Sequence, residues 1–175
     1  MAKMTLIVGG ARSGKSAHAI ALAREAGNFP ERAFFIATAE PLDDEMRARI
    51  AAHQATRPAG FQTVEEPRRL AAVVQALEPR ADIVVLDCLT LWISNLLGVD
   101  MRDEEILAAA ETLAESLRRA SFASIIVSSE AGSGIVPEHP LARRFRDLLG
   151  WTNQKVAAAA DTVLLMVAGY PIRVK

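Results

Sequence analysis

The sequence predicts an α/β fold with a mainly parallel central sheet flanked by helices, and three observations predict it. Short apolar runs alternate with helical patterns along the chain. The first run passes directly into a glycine-rich turn and then into a helix. No internal repeat, low-complexity tract or Ser/Gly/Pro-rich linker interrupts the order. The chain has 175 residues, 51% hydrophobic and 23% charged, enough for one buried core and too few for two comfortable domains. Residues 1–175 are therefore expected to form a single domain.

Each element is justified by its own pattern. Thr5-Leu6-Ile7-Val8 is a short β-rich run, Ser16–Ala26 a helical stretch, and Ala33–Thr38 a second apolar strand. Helices are expected over Asp44–Thr56 and Arg68–Leu77, followed by a strand at Ile83–Leu86. Leu89, Trp92, Ile93, Leu96 and Leu97 recur at helical spacing and give a wide apolar stripe. The next helix is expected to be capped by Asp103, with Ile106, Ala110, Leu113 and Leu117 inward. Ser124–Val127 and Thr162–Val167 read as two more buried strands, separated by a helix carrying Leu141, Phe145, Leu148 and Leu149. Ile172–Val174, after Gly169-Tyr170-Pro171, is a possible C-terminal edge hairpin. Strands spaced by helices require crossovers, and hence parallel pairing with helices on both faces.

Charge and termini narrow the function. Twenty Lys plus Arg against 21 Asp plus Glu leave a net charge of -1, so no global field draws the chain to nucleic acid or an anionic membrane. The opening MAKMTLIVGG is too short an apolar stretch for a signal peptide or a membrane span, and a cytoplasmic location is expected. Cys88 is the only cysteine, which excludes an intrachain disulfide and a cysteine metal cluster; packing is its expected role.

The first strand leads into Gly9-Gly10-Ala11-Arg12-Ser13-Gly14-Lys15-Ser16, which fits G-x-x-x-x-G-K-[ST] with a strand before it and a helix after it. Chance would produce that string in a chain this long on the order of once in a few hundred. The glycines let the backbone curl so that successive N–H groups point at phosphates, and the helix start adds its positive end. Lys15 is placed to neutralise β and γ oxygens, and the Ser16 hydroxyl to ligate Mg2+, which keeps most of its waters. Asp87, ending the run Ile83-Val84-Val85-Leu86, is the candidate carboxylate on the magnesium side; it also suits a helix N-cap. The expected substrates include GTP or ATP.

Glu45, Arg49, His53 and Arg57 recur at i+4 and share one helix face. An imidazole with an arginine one turn away on either side resists protonation and keeps a free lone pair, as attack on phosphorus requires. A solvated polar face is the ordinary explanation of the same stripe. His18 and His139 are weaker candidates. Glu130, after the strand ending at Ser129, suits a substrate-positioning or base role or a loop cap, and Glu65-Glu66-Pro67 a ribose contact or a helix start.

Taken together, GGARSGKS, ATAEPLDDEMRARIAAHQATRP, EEP, VVLDCLTLWISNLL, SSEAGSGIVPEHPLARRFRDLLG and NQKVAAAADTVLLMVAG resemble the bifunctional adenosylcobinamide kinase and adenosylcobinamide-phosphate guanylyltransferase family over nearly the whole chain. The phosphate loop is shared with many enzymes; the His-x-x-x-Arg-Pro, Asp-Cys-Leu-Thr and Gly-Ile-Val-Pro-Glu elements are far more specific. The resemblance implies a RecA-like P-loop fold and a homotrimer. It implies phosphorylation of adenosylcobinamide, then transfer of GMP from GTP through a guanylyl-histidine, to give adenosylcobinamide-GDP in cobalamin biosynthesis. By position the histidine is His53, with Lys15 as the other catalytic residue. Gly9 to Ser16 lie on the phosphates, and Ala37, Thr38, Ala39, Gln54, Ala55, Thr56, Arg57, Glu65 and Asp87 around the nucleotide. Ser129 stands where an asparagine is common and Trp151 where an arginine is common.

Other classes stay open on the residues alone. One is an ordinary ATP-dependent small-molecule kinase in which His53 orients substrate. Another is a RecA-like ATPase acting on nucleic acid, which the balanced charge opposes. A GTP-dependent switch is third, and no Asn-Lys-x-Asp element reads guanine here.

Overall fold

The computed structural model describes residues 3–27, 32–55 and 60–175, without the side chains of Arg49, His53 and Ala55. The elements follow in chain order: β1 (Met4–Gly9), α1 (Lys15–Glu25), β2 (Ala33–Ala37), α2 (Asp44–Ala55), β3 (Phe61–Glu65) and α3 (Leu70–Leu77). After them come β4 (Ile83–Asp87), α4 (Leu89–Leu97), α5 (Asp103–Arg119), β5 (Ala123–Val127), α6 (Pro140–Ala159), β6 (Thr162–Val167) and β7 (Tyr170–Arg173). The strands form one sheet in the order β3-β2-β4-β5-β1-β6-β7. Every pairing is parallel except β6 with β7, the expected edge hairpin.

The near-continuous apolar runs of β2, β4 and β5 arise because both faces of the sheet are covered. Side chains alternate: Leu6, Phe34, Ile36, Val84, Leu86 and Ile126 pack into a core shared with α3, α4, α5 and α6. Ile7, Phe35, Val85, Ile125 and Val127 pack on the other side, with Ala19 and Ala23 of α1. Burying each large side chain contributes about 1.5–3 kcal/mol. The α4 stripe is buried as the spacing predicts, and Trp92 also donates its indole N–H to the Arg68 carbonyl at 2.8 Å.

Three expectations need correction. The strand β3 goes unpredicted, because an edge strand paired only to β2 leaves Gln62 and Thr63 exposed and breaks the apolar run. The cap of α5 is not Asp103, which is the first helical residue; Glu105 accepts the Arg102 N–H at 3.1 Å, and Asp103 instead takes the Arg144 guanidinium at 2.6 Å. The helix α3 begins at Leu70, not Arg68, because the Glu66 carboxylate accepts the N–H groups of Arg68 and Arg69 ahead of it.

Candidate active site

The carboxyl ends of β1, β4 and β5 lie side by side, and the phosphate loop is shaped by its glycines. A Cβ on Gly9 would come 2.7 Å from the Met166 carbonyl oxygen and 2.8 Å from Ser13 Oγ, so only glycine fits. Gly14 sits at φ 93°, a left-handed conformation that turns the chain into α1. Its carbonyl accepts the His18 N–H at 2.9 Å. The turn between β6 and β7 leans on the loop from outside, with the Gly169 N–H donating to the Ser13 carbonyl at 3.1 Å.

Beside the loop lies a cavity of about 320 Å³ lined by Arg12, Lys15, Ser16, Ala37, Ala39, Met46, Ile50, Asp87, Cys88, Thr90 and Ser129, among others. Lys15 Nζ donates to the Gly10 carbonyl at 2.6 Å. Burial pulls the Lys15 pKa below its ordinary value, against negative charge at Cys88 and Asp87. The Cys88 thiol is pushed up to about 11, by burial and then by Asp87, and is neutral at pH 7; Asp87 is thus the charge that acts on Lys15 there. A half-buried ammonium of this kind gains from an incoming anion.

A larger cavity, about 630 Å³, lies between α3 and α5 and is lined by Glu78, Glu111 and Glu115 with Arg119. Its acidic lining opposes a triphosphate. The smaller cavity, bordered by the phosphate loop and Lys15, suits an anion better.

The structure thus brings Arg12, Lys15, Ser16, Ala37, Ala39 and Asp87 to one cavity, with Gly9, Gly10, Ala11, Ser13 and Gly14 forming the loop beside it. Thr38 is placed differently. It is fully buried, its hydroxyl donates to the Cys88 carbonyl at 2.8 Å and accepts the Cys88 N–H at 2.8 Å, and it ties the ends of β2 and β4 together. Gln54 and Glu65 are exposed and hydrogen-bonded to each other at 3.0 Å, and Glu65 pairs in register with the cavity-lining Ala37. Ala55 ends α2, and Thr56 and Arg57 lie outside the described residues. His53 is in the last turn of α2, whose Met46 and Ile50 line the cavity; its side chain lies outside the described ones.

Glu130 and His139 have local partners. Glu130 accepts the Gly132 N–H at 2.7 Å and closes its own loop, and His139 caps α6 by accepting the Leu141 N–H at 3.3 Å. Sequence reasoning missed Thr90, Cys88, Met46, Ile50 and Ser129 as cavity residues. For Thr90 a signal existed: it follows the strand-end acid at the start of a helix.

The donor set fits Mg2+. Ser16 and Asp87 supply one hydroxyl and one carboxylate to the same cavity, and no group of three His, Cys, Asp or Glu forms a closed cage among the described residues. Few protein ligands with room for waters and phosphate oxygens is the arrangement this ion takes.

A parallel sheet in this order, with a Gly-Lys-Ser loop at the end of β1 and an acid at the end of β4, defines a RecA-like P-loop nucleotide-binding protein. A solved ATPase domain shares the fold, with a TM-score of 0.53 at 11% identity, over 93% of this chain and 68% of that one. The chain belongs to the cobinamide kinase / cobinamide phosphate guanyltransferase family, whose model matches residues 5–174. It is 43% identical to the bifunctional adenosylcobalamin biosynthesis protein CobP of Pseudomonas aeruginosa, across 97% of this chain and 96% of that protein. It is 41% identical to the bifunctional adenosylcobalamin biosynthesis protein CobU of Salmonella typhimurium, across 98% and 99% respectively. The CobU of Escherichia coli K12 is 40% identical over the same shares.

Proposed function

We propose that the chain phosphorylates adenosylcobinamide and then transfers GMP from GTP to the new phosphate through a guanylyl-histidine on His53, giving adenosylcobinamide-GDP in cobalamin biosynthesis. One observation supports this reading beyond family membership: the phosphate loop, Asp87, and Met46 and Ile50 of α2, the helix in which His53 lies, border a single cavity. A triphosphate gripped there can be opened at either end.

In the first reaction the aminopropanol hydroxyl of the substrate attacks the γ phosphorus. The bond from that phosphorus to the β-bridging oxygen breaks, the nucleoside diphosphate leaves, and the hydroxyl proton passes to solvent. In the second, a ring nitrogen of His53 attacks the α phosphorus of GTP, pyrophosphate leaves from the loop, and GMP is held as a phosphoramidate. The phosphate of adenosylcobinamide phosphate then attacks the same phosphorus, the N–P bond breaks, and the imidazole is restored. Lys15 stabilises charge on the departing oxygens in both reactions, with Arg57 assisting the second. Mg2+, held by Ser16 and Asp87, supplies positive charge to the phosphate oxygens when bound. Ala37, Ala39, Gln54, Ala55, Thr56 and Glu65 serve the nucleoside end, and Thr38 acts through the strand ends it joins.

The protein works as a single nucleotide-binding domain in the cytoplasm, assembled as a homotrimer. Among the described residues no helix is long and apolar enough to cross a membrane.

Incubation with GTP labelled at the α or the γ phosphorus tests the covalent step. The α label alone is expected on the protein, acid-labile and absent from His53→Ala; a retained γ label, or a stable α adduct in that variant, would overturn it.

A further inference from the structure

The mechanism above leaves unused a hydrogen-bonded relay that joins α6 to the cavity. It begins at β5. Ser128 donates its N–H to the Ile7 carbonyl at 2.9 Å, and Glu130 donates its own to the Gly9 carbonyl at 3.1 Å, so Ser129 stands beside the entrance to the phosphate loop. On its other side, β5 pairs with β4 with Val127 opposite Asp87.

Strand alternation decides where the side chains go. Ile125 and Val127 face the α1 side, whereas Ile126 faces the helices α3 to α6. Ser128 continues the second set: it is fully buried and its hydroxyl donates to Asn153 Oδ1 of α6 at 2.6 Å. Ser129 continues the first set and lines the cavity with Lys15, Ser16 and Asp87.

Both backbone groups of Ser129 are held by side chains instead of by a neighbouring strand. Its N–H donates to Thr90 Oγ1 at 2.9 Å, and its carbonyl accepts from Asn153 Nδ2 at 3.0 Å. Because a carbonyl can only accept, the amide nitrogen of Asn153 must face Ser129, and its oxygen is left for the Ser128 hydroxyl. The amide thus has one allowed orientation, and it fixes the backbone that carries the cavity-lining hydroxyl.

We propose that Ser129 Oγ is a catalytic residue of phosphoryl transfer, hydrogen-bonding the γ-phosphoryl oxygens as the substrate hydroxyl attacks, and that Asn153 is a positioning residue acting through it. The inference rests on the kinase reading above. A hydroxyl suits that place because it donates to an oxyanion while adding no charge beside Asp87 and Lys15. It also leaves the α phosphorus alone, so guanylyl transfer to His53 does not depend on it.

The test uses the whole protein, with phosphorylation of adenosylcobinamide and formation of the α-labelled protein adduct measured separately. Ser129→Ala is expected to lower kcat for phosphorylation about 10- to 100-fold with KM for the nucleotide and adduct formation within about twofold. Ser129→Thr keeps the hydroxyl and is expected to stay within about fivefold of the parent. Asn153→Ala is expected to lower the same kcat, and to add almost nothing in the Ser129→Ala background, since a residue acting through Ser129 has nothing left to position. A loss from Asn153→Ala that multiplies fully with that of Ser129→Ala, or an unchanged kcat in Ser129→Ala, would overturn the proposal. So would equal loss of both reactions. A parent protein that forms the adduct but phosphorylates nothing would instead refute the kinase reading itself, and the inference with it.

Discussion

The phosphate loop and α2 border the same cavity and are built in opposite ways. The loop is over-determined: Gly9 has no room for a Cβ, Gly14 is left-handed, and the Ser13 carbonyl is held by Gly169 across the β6–β7 turn. The helix that follows it buries Ala19 and Ala23 against the sheet. By contrast, α2 has no fully buried side chain among its described residues. Its ties include polar ones at or near the surface: the Met46 N–H to Asp43 Oδ1 at 2.7 Å, Arg47 to Asp44 at 2.6 Å, and Gln54 to Glu65 of β3 at 3.0 Å. An element with so little buried apolar area opens at low free-energy cost. The difference teaches a division of labour. On the function proposed above, a fixed loop would grip what both reactions share, the triphosphate, and a lightly anchored helix would carry the group that only one of them needs.

The sharpest way to break that division is His53→Ala. Guanylyl transfer is expected to fall more than about a thousandfold while phosphorylation keeps most of its rate, as separate assays on the folded variant would show. Equal loss of both would count against separate roles. Lys15→Ala strikes the shared side instead, and both reactions are expected to drop together by about 10²–10³ in kcat.

Stability should sort the same way. Ile7 is fully buried between β1 and α1, and Ile7→Ala is expected to cost about 2–5 kcal/mol in chemical denaturation. Ile50, only partly buried on α2, is expected to cost about 1 kcal/mol when cut to alanine, the greater effect being on nucleotide affinity. A large stability loss at Ile50 would mean that α2 is anchored more firmly than its contacts indicate.

The last test concerns pH, and its effect is confined to the alkaline range. Cys88 ordinarily titrates at 9.0 and is held at about 11 by burial and then by Asp87, so the folded protein keeps a proton that the unfolded chain releases. Between those values the unfolded state binds fewer protons. Stability is therefore fully present below about 9 and lost as pH rises toward about 11, by up to about 3 kcal/mol. Cys88→Ala should remove that slope from denaturation measured across the alkaline range.

What could be read from the sequence follows the same contrast. The phosphate loop is legible because its geometry is local: glycines, Lys15 and Ser16 act within one turn of chain, and Asp87 announces itself at the end of an apolar run. The central strands are legible because burial on both faces makes them continuous. The edge strand β3 is not, since exposure on one side mixes Gln62 and Thr63 into it. Thr38 reads as a nucleotide neighbour by position, yet a buried hydroxyl satisfied twice by Cys88 serves the sheet. Thr90, Ser129 and Asn153 come from three separate segments, and only the tertiary fold brings them together.

The contact between Gly169 and Ser13 has an experimental use. Because the Gly169 amide proton is held by a carbonyl of the loop itself, its exchange with deuterated solvent reports how firmly that loop is closed. A single resonance on the adjoining hairpin can therefore serve as a gauge of occupancy, slowing as nucleotide fills the cradle, without any label attached to the protein.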